Sequence, residues 1–290
     1  MCKKIAAIIC LTILVFLLSS CGSQRNESIF DTVRERGVVR VGTGINVPPM
    51  NFKDEYGNWV GFDLDLSAAI ADRLGVELEL VVVNNTTRIS FLANGTVDMV
   101  ISNLSRTRSR GEQIDFAEPA YLWTGKIAYA RIGQFQNLAD LAGRRIAVDQ
   151  GSNAYISIQQ AIENTGGEPP IILTFQSNAE GFLALRQGRV DAFIQDSVIV
   201  AGVAGRAGVD FEAIGGIFCP ALYSIGVPPN DSRWRNEISF ILQDLMRDGT
   251  FDEIYDKWFG EEGAFPMALC ARPVLPREVF GENQLFIWPD

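Results

Sequence analysis

The stretch LANGTVDMVI at residues 92–101 has a counterpart in LRQGRVDAFI at residues 185–194, and this repeat decides the fold. Each copy reads as a helix end, a glycine suited to a left-handed helix cap, and the start of a strand at Val-Asp. Helix–glycine–strand units are common in α/β proteins, but these two copies agree at five of ten positions. The repeat therefore predicts two α/β lobes of similar plan.

The segments around the repeat alternate between strand and helix patterns, which indicates parallel βαβ units. The first half predicts strands at 38–42, 76–83 and 97–102 with helices at 63–74 and 88–93, and we expect Asp63 to cap the first helix. The second half predicts strands at 145–148, 171–175 and 190–194, with helices at 154–162, 179–187 and 198–204. A strand at 223–227 and helical spacing from Trp234 to Trp258, interrupted at Gly249, follow.

The composition excludes several classes of function. The chain has 290 residues, of which 47% are apolar, so it is long enough to bury a core in each lobe. Its net charge of −10 argues against nucleic-acid binding. It contains no histidine, which excludes Ser-His-Asp and Cys-His nucleophile pairs and His-ligated metal sites. We expect neither a metal nor a cofactor.

The N-terminus is typical of an export signal. Lys3 and Lys4 precede an apolar run over 5–18, which is short for a membrane span, and small residues follow it. The segment 18–22 resembles the bacterial lipoprotein box. This resemblance implies cleavage before Cys21 and lipids on Cys21, which would hold the body of the protein at a membrane face.

Eight short segments occur in the order found in one protein family. They are residues 41–50, 57–66, 94–98, 110–116, 138–143, 150–152, 188–191 and 257–260. Together they resemble the polar amino-acid-binding members of the bacterial extracellular solute-binding proteins, family 3, which supply ABC importers. The resemblance implies a two-lobed α/β fold of the periplasmic-binding-protein type II class, with two crossovers between the lobes.

Carried onto this chain, the resemblance implies the following domain organisation. It gives a signal peptide at 1–20, a lipidated N-terminus and tether at 21–37, lobe 1 at 38–122 plus 224–262, lobe 2 at 126–220, and a C-terminal extension at 263–290. We therefore expect an exported, lipid-anchored and monomeric protein that faces the periplasm or the cell exterior. Its expected partners are a free amino acid and the permease subunits of an ABC transporter.

An amino acid brings a carboxylate and an ammonium group, and the chain offers candidates for both. Arg110 has the guanidinium fork that a carboxylate requires, and the resemblance places Ser105 and Asn103 beside it. Asp196 follows a predicted strand at the edge where α/β sheets bind ligands, and it matches the family's ammonium-binding acid. Asp196 could equally be a helix cap. Ser152 and Asn153 precede a helix and match further carboxylate contacts.

The side-chain pocket departs from many family members. Positions that hold a stacking aromatic residue in those members are Val47 and Asn85 here. Arg88 resembles an arginine that meets the side-chain carboxylate of acidic ligands, and Asn178 matches a further polar contact. A second arginine of the glutamate-binding relatives would fall at Gly44 and is absent. Glutamate or aspartate is therefore favoured over glutamine, asparagine or a broad polar range.

Three further expectations remain open at the level of sequence. Cys219 and Cys270 would lie in an oxidising compartment, so a disulfide between them is as plausible as two unpaired thiols. We expect a binding protein and not an enzyme, but some relatives dehydrate prephenate-like acids, and Glu180 is the nearest candidate acid for such a reaction. A ligand-sensing domain for a separate receptor is the remaining alternative.

Overall fold

The computed structural model describes residues 28–204 and 210–266. The first part of the chain forms one lobe, which contains a short two-stranded hairpin beside its main sheet. In chain order its elements are α1 (Ile29–Arg36), β1 (Val38–Thr43), β2 (Phe52–Lys53), β3 (Trp59–Val60), α2 (Phe62–Leu74), β4 (Glu77–Val82), α3 (Arg88–Ala93), β5 (Met99–Val100), α4 (Arg108–Gly111) and β6 (Asp115–Phe116).

The middle of the chain forms the second lobe, and the chain then returns to the first. The second lobe contains β7 (Leu122–Arg131), a 3₁₀ turn (Leu138–Leu141), β8 (Arg145–Asp149), α5 (Ala154–Asn164), β9 (Ile171–Phe175), α6 (Asn178–Arg186), β10 (Ala192–Asp196), α7 (Ser197–Ala204) and β11 (Phe211–Tyr223). The returning segment contains β12 (Gly226–Val227), α8 (Ser232–Asp248) and α9 (Thr250–Phe259).

Each lobe is built on a five-stranded mixed sheet. The first sheet has the strand order β4-β1-β5-β12-β6, and the second has the order β11-β7-β10-β8-β9. The chain passes between the sheets along β7 and β11, which pair in antiparallel fashion. Tyr121 and Tyr223, at the first-lobe ends of these two strands, are fully buried. Two adjacent strands therefore connect the two lobes.

The predicted repeat is confirmed as the same arrangement of charges in both lobes. Asp98 accepts hydrogen bonds from the backbone N–H of Arg40 at 2.7 Å and from its guanidinium group at 2.9 Å. Asp191 accepts the equivalent bonds from Arg145 at 2.9 and 3.0 Å. In each lobe the same arginine also donates to the carbonyl oxygen of the repeat's glycine. The shared Val-Asp thus fixes the carboxylate that joins two neighbouring strands.

The cores of the two lobes meet through α7. Most of this helix packs on the second lobe, but Val198 and Ile199 belong to the buried apolar cluster of the first lobe. Gly202 of α7 lies against the first lobe, where a Cβ atom would fall 2.1 Å from the carbonyl oxygen of Pro48. Only glycine, which has no Cβ atom, fits where α7 comes this close to the backbone of the first lobe. The lobes are therefore in contact on this side of the cleft.

Two local expectations are wrong. Asp63 does not cap α2, which follows Gly61; its carboxylate is buried and accepts hydrogen bonds from Tyr121, Asn103 and Asn51. Residues 29–36, expected within the tether, form α1, whose Val33 is buried in the core of the first lobe. Both errors arise because long-range partners, which a local pattern does not contain, decide the environment of these residues.

The two Val-Asp carboxylates should differ in their contribution to stability. Asp98 is 4% exposed and binds both Arg36 and Arg40, whereas Asp191 is 20% exposed and pairs with Arg145 alone among the described residues. We expect Asp98→Asn to lower the melting temperature by roughly 4–8 °C, because it leaves two guanidinium groups without their counter-charge. Asp191→Asn, the matched variant, should lower it by less than half as much. Calorimetry that finds equal losses would contradict this ranking.

Candidate ligand-binding site

A cavity of about 970 Å³ opens between the lobes. The first lobe contributes the loop 44–48 and the segment 82–87, and the second contributes residues at the ends of β8 and β9. Its polar lining includes Asn85 and Asn103 from the first lobe and Asp149 and Asn178 from the second. The lobes touch here also, since the Asn85 amide donates to the Asp149 carboxylate across the cleft at 2.7 Å.

Arg110 is positioned by a short helical turn. Thr107 caps α4 by accepting a hydrogen bond from the Arg110 backbone N–H at 3.3 Å. The Arg110 guanidinium group turns back and donates to the carbonyl oxygen of Ser105 at 2.7 Å. Burial lowers the pKa of Arg110, and the nearby negative charge of Asp196 opposes this change. Arg110 of the first lobe therefore faces a carboxylate of the second lobe.

Arg88 is a deeply buried second cation. It begins α3, is 2% exposed, and donates to the carbonyl oxygen of Ser102 at 2.7 Å, while its Nε has no hydrogen-bond partner. Burial lowers the pKa of Arg88 to about 9, and the positive charge of Arg110 contributes to this decrease. The Arg110 guanidinium group thus lies close enough to disfavour the charge of Arg88, an effect that a nearby anion would relieve.

The second lobe contributes two buried carboxylates. Asp196 ends β10 and forms an ion pair with Lys126 of β7 at 2.7 Å, and the Tyr223 hydroxyl donates to the same oxygen, Oδ2. Asp149 ends β8, and burial raises its pKa to about 6 against the opposing effect of Arg88 and Lys126. One oxygen of each carboxylate, Oδ1, is buried without a hydrogen-bond partner. These oxygens are available acceptors.

Asp63 organises the wall of the first lobe. Its carboxylate joins the Tyr121 hydroxyl at 3.0 Å, the Asn103 backbone N–H at 2.8 Å and the Asn51 amide at 3.1 Å. Asn103 has a positive φ of 40°, a conformation that this bond helps to hold. Burial raises the pKa of Asp63 to about 7. The first lobe therefore carries a buried carboxyl group near the Arg88 guanidinium group, which opposes the rise in its pKa.

The family model described as bacterial extracellular solute-binding proteins, family 3, matches residues 39–261. The chain belongs to this family. The ABC transporter glutamine-binding protein GlnH of Bacillus subtilis (strain 168) is 28% identical over 278 residues, which cover 90% of this chain and 99% of that protein.

Two solved structures are similar over most of the chain. An ancestral arginine-binding protein bound to arginine is 34% identical with a TM-score of 0.71, covering 78% of this chain and 99% of that one. An ancestral amino acid-binding protein described as a precursor of cyclohexadienyl dehydratase is 31% identical with a TM-score of 0.71, covering 80% and 99%. The predicted two-lobed fold of the type II class is confirmed by this similarity.

The predicted site residues of this solute-binding protein fall into three groups. Asn85, Asn103 and Asn178 line the cavity, and the Asn178 amide oxygen also accepts a bond from Gln195. The second group, Arg88, Arg110 and Asp196, belongs to a charged cluster at the lobe interface, together with Lys126 and Asp149. These three predicted residues are not among those that line the cavity. The third group makes local hydrogen bonds. The carbonyl oxygen of Ser105 accepts from the Arg110 guanidinium group. The Ser152 hydroxyl accepts from the Ala154 N–H at 3.3 Å, and the Asn153 carbonyl oxygen accepts from the Ser157 N–H.

Sequence reasoning missed two charged members of the cluster, Lys126 and Asp149, and two residues beside it, Asp63 and Tyr223. A signal existed for Lys126, since a lysine within the apolar stretch 122–130 is unusual unless it is paired. Asp149 directly precedes the segment that the resemblance selected. Tyr223 and Asp63 carried no local signal, because their partners are distant in the chain.

Other predicted positions lie partly outside the described residues. Within residues 28–204 and 210–266, Cys219 forms no disulfide, and its sulfur accepts a hydrogen bond from the Ser157 hydroxyl. Cys270 and Cys21 fall outside these ranges. The disulfide and the lipidation therefore remain predictions. Within the same ranges no helix is long and apolar enough to cross a membrane. No cluster of three or more potential metal ligands occurs among these residues either.

The raised pKa of Asp63 predicts a dependence of stability on pH. Folding raises this pKa from 3.8 to about 7, so the folded protein keeps a proton that the unfolded chain releases. The free energy of unfolding should therefore decrease as the pH rises from about 4 to about 7, by an amount on the order of a few kcal/mol. Asp63→Asn removes this titration and should make the slope shallower, with the contribution of Asp149 remaining.

Urea unfolding at a series of pH values between 4.5 and 7.5 measures this slope. Asp244→Asn, a surface substitution beside Arg247, is the control and should keep the wild-type slope. An unchanged slope in Asp63→Asn would show that Asp63 does not titrate as its burial requires.

Proposed function

We propose that this protein is the substrate-binding component of an ABC importer and that it captures a polar or acidic amino acid between its lobes, with glutamate and aspartate favoured. Membership of the solute-binding family and the similarity to amino-acid-binding proteins support the general role. The chemistry of the cleft supports the particular ligand class. Export and a lipid anchor at Cys21 belong to the same proposal, and they rest on the sequence pattern alone.

The observation that carries the proposal is the approach of Arg110 and Asp196 from opposite lobes. Arg110 donates to the carbonyl oxygen of Ser105, Ser105 pairs with the backbone of Tyr223, and the Tyr223 hydroxyl donates to Asp196. The two charges therefore lie on either side of Tyr223, and no direct ion pair joins them. A free amino acid carries its carboxylate and its ammonium group on one carbon. Its carboxylate would bind Arg110 and its ammonium group would approach Asp196, so the ligand would connect the two lobes.

The balance of charge favours an acidic side chain. The cluster contains the cations of Arg88, Arg110 and Lys126 against the carboxylates of Asp149 and Asp196. Burial disfavours an uncompensated charge, so a ligand with a net negative charge suits this set better than a neutral zwitterion. Asp63 adds a variable charge, since its pKa is about 7.

Binding would favour the form in which the lobes are in contact. The bond between Asn85 and Asp149 and the approach of Gly202 to Pro48 exist only when the lobes are together. A ligand that contacts both lobes binds this form better than a separated one, which shifts the population toward it. Permease subunits could then distinguish the loaded protein by its shape.

A binding function is favoured over a dehydratase. The curated and solved relatives reported above are described as binding proteins, although one is also described as an enzyme precursor. Glu180, the acid nominated for catalysis, is exposed, and its carboxylate accepts the Gln176 N–H at the start of α6. That contact stabilises a helix end and leaves Glu180 outside the charged cluster.

Arg110→Ala should nearly abolish amino-acid binding. Removing one partner of a desolvated charge contact costs about 2–5 kcal/mol, which corresponds to roughly 30- to several-thousand-fold weaker affinity. Isothermal titration calorimetry, preceded by a thermal-shift panel of the twenty amino acids and prephenate, measures the effect. Arg108→Ala is the matched control, because Arg108 is exposed on the same short helix. Wild-type affinity in a folded Arg110→Ala protein would refute the assignment.

Arg88→Met should change the preference among ligands. It removes the buried guanidinium group and retains much of its apolar volume, so acidic amino acids should lose at least about tenfold more affinity than neutral ones. The ratio of the dissociation constants for glutamate and glutamine in wild type and variant is the measurement. Equal losses for both ligands would remove the argument for an acidic preference.

A further inference from the structure

Lys126 is a buried cation in the middle of an apolar strand. It lies on β7, where its neighbours Ile127 and Ala128 are also buried, and its own side chain is 1% exposed. Its ammonium group pairs with Asp196 at 2.7 Å, and Asp196 is equally inaccessible at 3%. Burying both charges is costly unless they compensate each other, so this pair is a fixed part of the second lobe.

The pair changes what Asp196 can offer to a ligand. Its Oδ2 atom accepts from both Lys126 and the Tyr223 hydroxyl, whereas its Oδ1 atom is buried without a hydrogen-bond partner. The negative charge of Asp196 is therefore already compensated, but one acceptor position remains. The ligand group that reaches Oδ1 must donate a hydrogen bond; it need not carry a positive charge.

An ammonium group and a hydroxyl group differ at this position in one respect. Both groups donate a hydrogen bond to Oδ1. An ammonium group, however, brings a second positive charge to the Asp196 carboxylate, which already pairs with the ammonium group of Lys126. Like charges at such short range oppose each other in a buried site. A hydroxyl group satisfies Oδ1 and adds no charge. A keto group has no proton to donate and would leave Oδ1 unsatisfied.

We infer that Lys126 is a specificity-determining residue, which makes the ligand's ammonium group dispensable and admits the 2-hydroxy acid that corresponds to each bound amino acid. The inference rests on the proposed function, because it uses the same site and the same contact between Arg110 and the ligand's 1-carboxylate. The protein would thus be a carboxylate-binding protein with a requirement for a 2-position donor, and amino acids would be one class of its ligands.

Wild-type protein gives the first test. Calorimetry compares L-glutamate with L-2-hydroxyglutarate and L-aspartate with L-malate, and any other amino acid that binds is paired with its own 2-hydroxy acid. We expect the two members of a pair to have dissociation constants within about tenfold of each other, and 2-oxoglutarate to bind at least tenfold more weakly than 2-hydroxyglutarate. A 2-hydroxy acid that binds more than tenfold more weakly than its amino acid overturns the inference.

Lys126→Met gives the second test. Without the internal cation, Asp196 requires a positive charge from the ligand, so the preference for the amino acid over the hydroxy acid should rise at least tenfold. Lys257→Met is the matched control, because it removes a lysine from an exposed ion pair with Asp65 on the first lobe, and it should keep the wild-type ratio. An unchanged ratio in folded Lys126→Met protein overturns the inference; if that variant does not fold, the wild-type comparison decides.

The two proposals fail in different ways. If no amino acid binds at all, the proposed function is wrong and this inference fails with it. If amino acids bind and their hydroxy acids do not, the proposed function stands and only the role of Lys126 is rejected.

Discussion

The structure depends on the mutual compensation of charges that are buried where the lobes meet. Arg88 and Arg110 come from the first lobe, and Lys126, Asp149 and Asp196 come from the second. Each would be unfavourable alone at this depth, as the lowered pKa of Arg88 and the raised pKa of Asp149 show. Their burial is tolerated because the contact between the lobes brings opposite signs together. Under the proposed function, a ligand in the cleft would meet the same electrostatic constraint.

The crossover strands connect this cluster to the backbone of both lobes. Tyr121 at the start of β7 donates to Asp63 of the first lobe, and Tyr223 at the end of β11 donates to Asp196 of the second. The two rings lie 6.3 Å apart between their centroids. A movement of the lobes about these strands must change the position of one carboxylate relative to the other. Under the proposed function, the crossover strands and the ligand site would therefore share side chains, and a bound ligand would act on the strands that connect the lobes.

Compensation also explains why the cleft departs from a plain zwitterion site. A single arginine and a single acid would suffice for an amino acid, but here a lysine already occupies one oxygen of the acid. The cluster then has more positive than negative charge. An acidic side chain on the ligand would balance this excess, and a ligand without an ammonium group would not add to it. The proposed preference for anionic ligands and the inferred tolerance of hydroxy acids are two consequences of one buried lysine.

The sequence by itself determined the two-lobed plan. The repeat at 92–101 and 185–194 predicted equivalent turns because a glycine helix cap depends on neighbouring residues, and it placed an aspartate at the same position in each copy. The arginines that these aspartates bind, Arg40 and Arg145, lie 58 and 46 positions away. The resemblance to the family also nominated Arg88, Arg110 and Asp196, and their role in ligand binding stays a prediction. Only the tertiary structure decided that Lys126 pairs with Asp196, that Tyr223 joins them, and that Asp63 is a buried hub and not a helix cap. These contacts join residues that are 27 to 70 positions apart in the chain. The physical reason is that packing in space sets side-chain burial and charge pairing, and no local pattern records it.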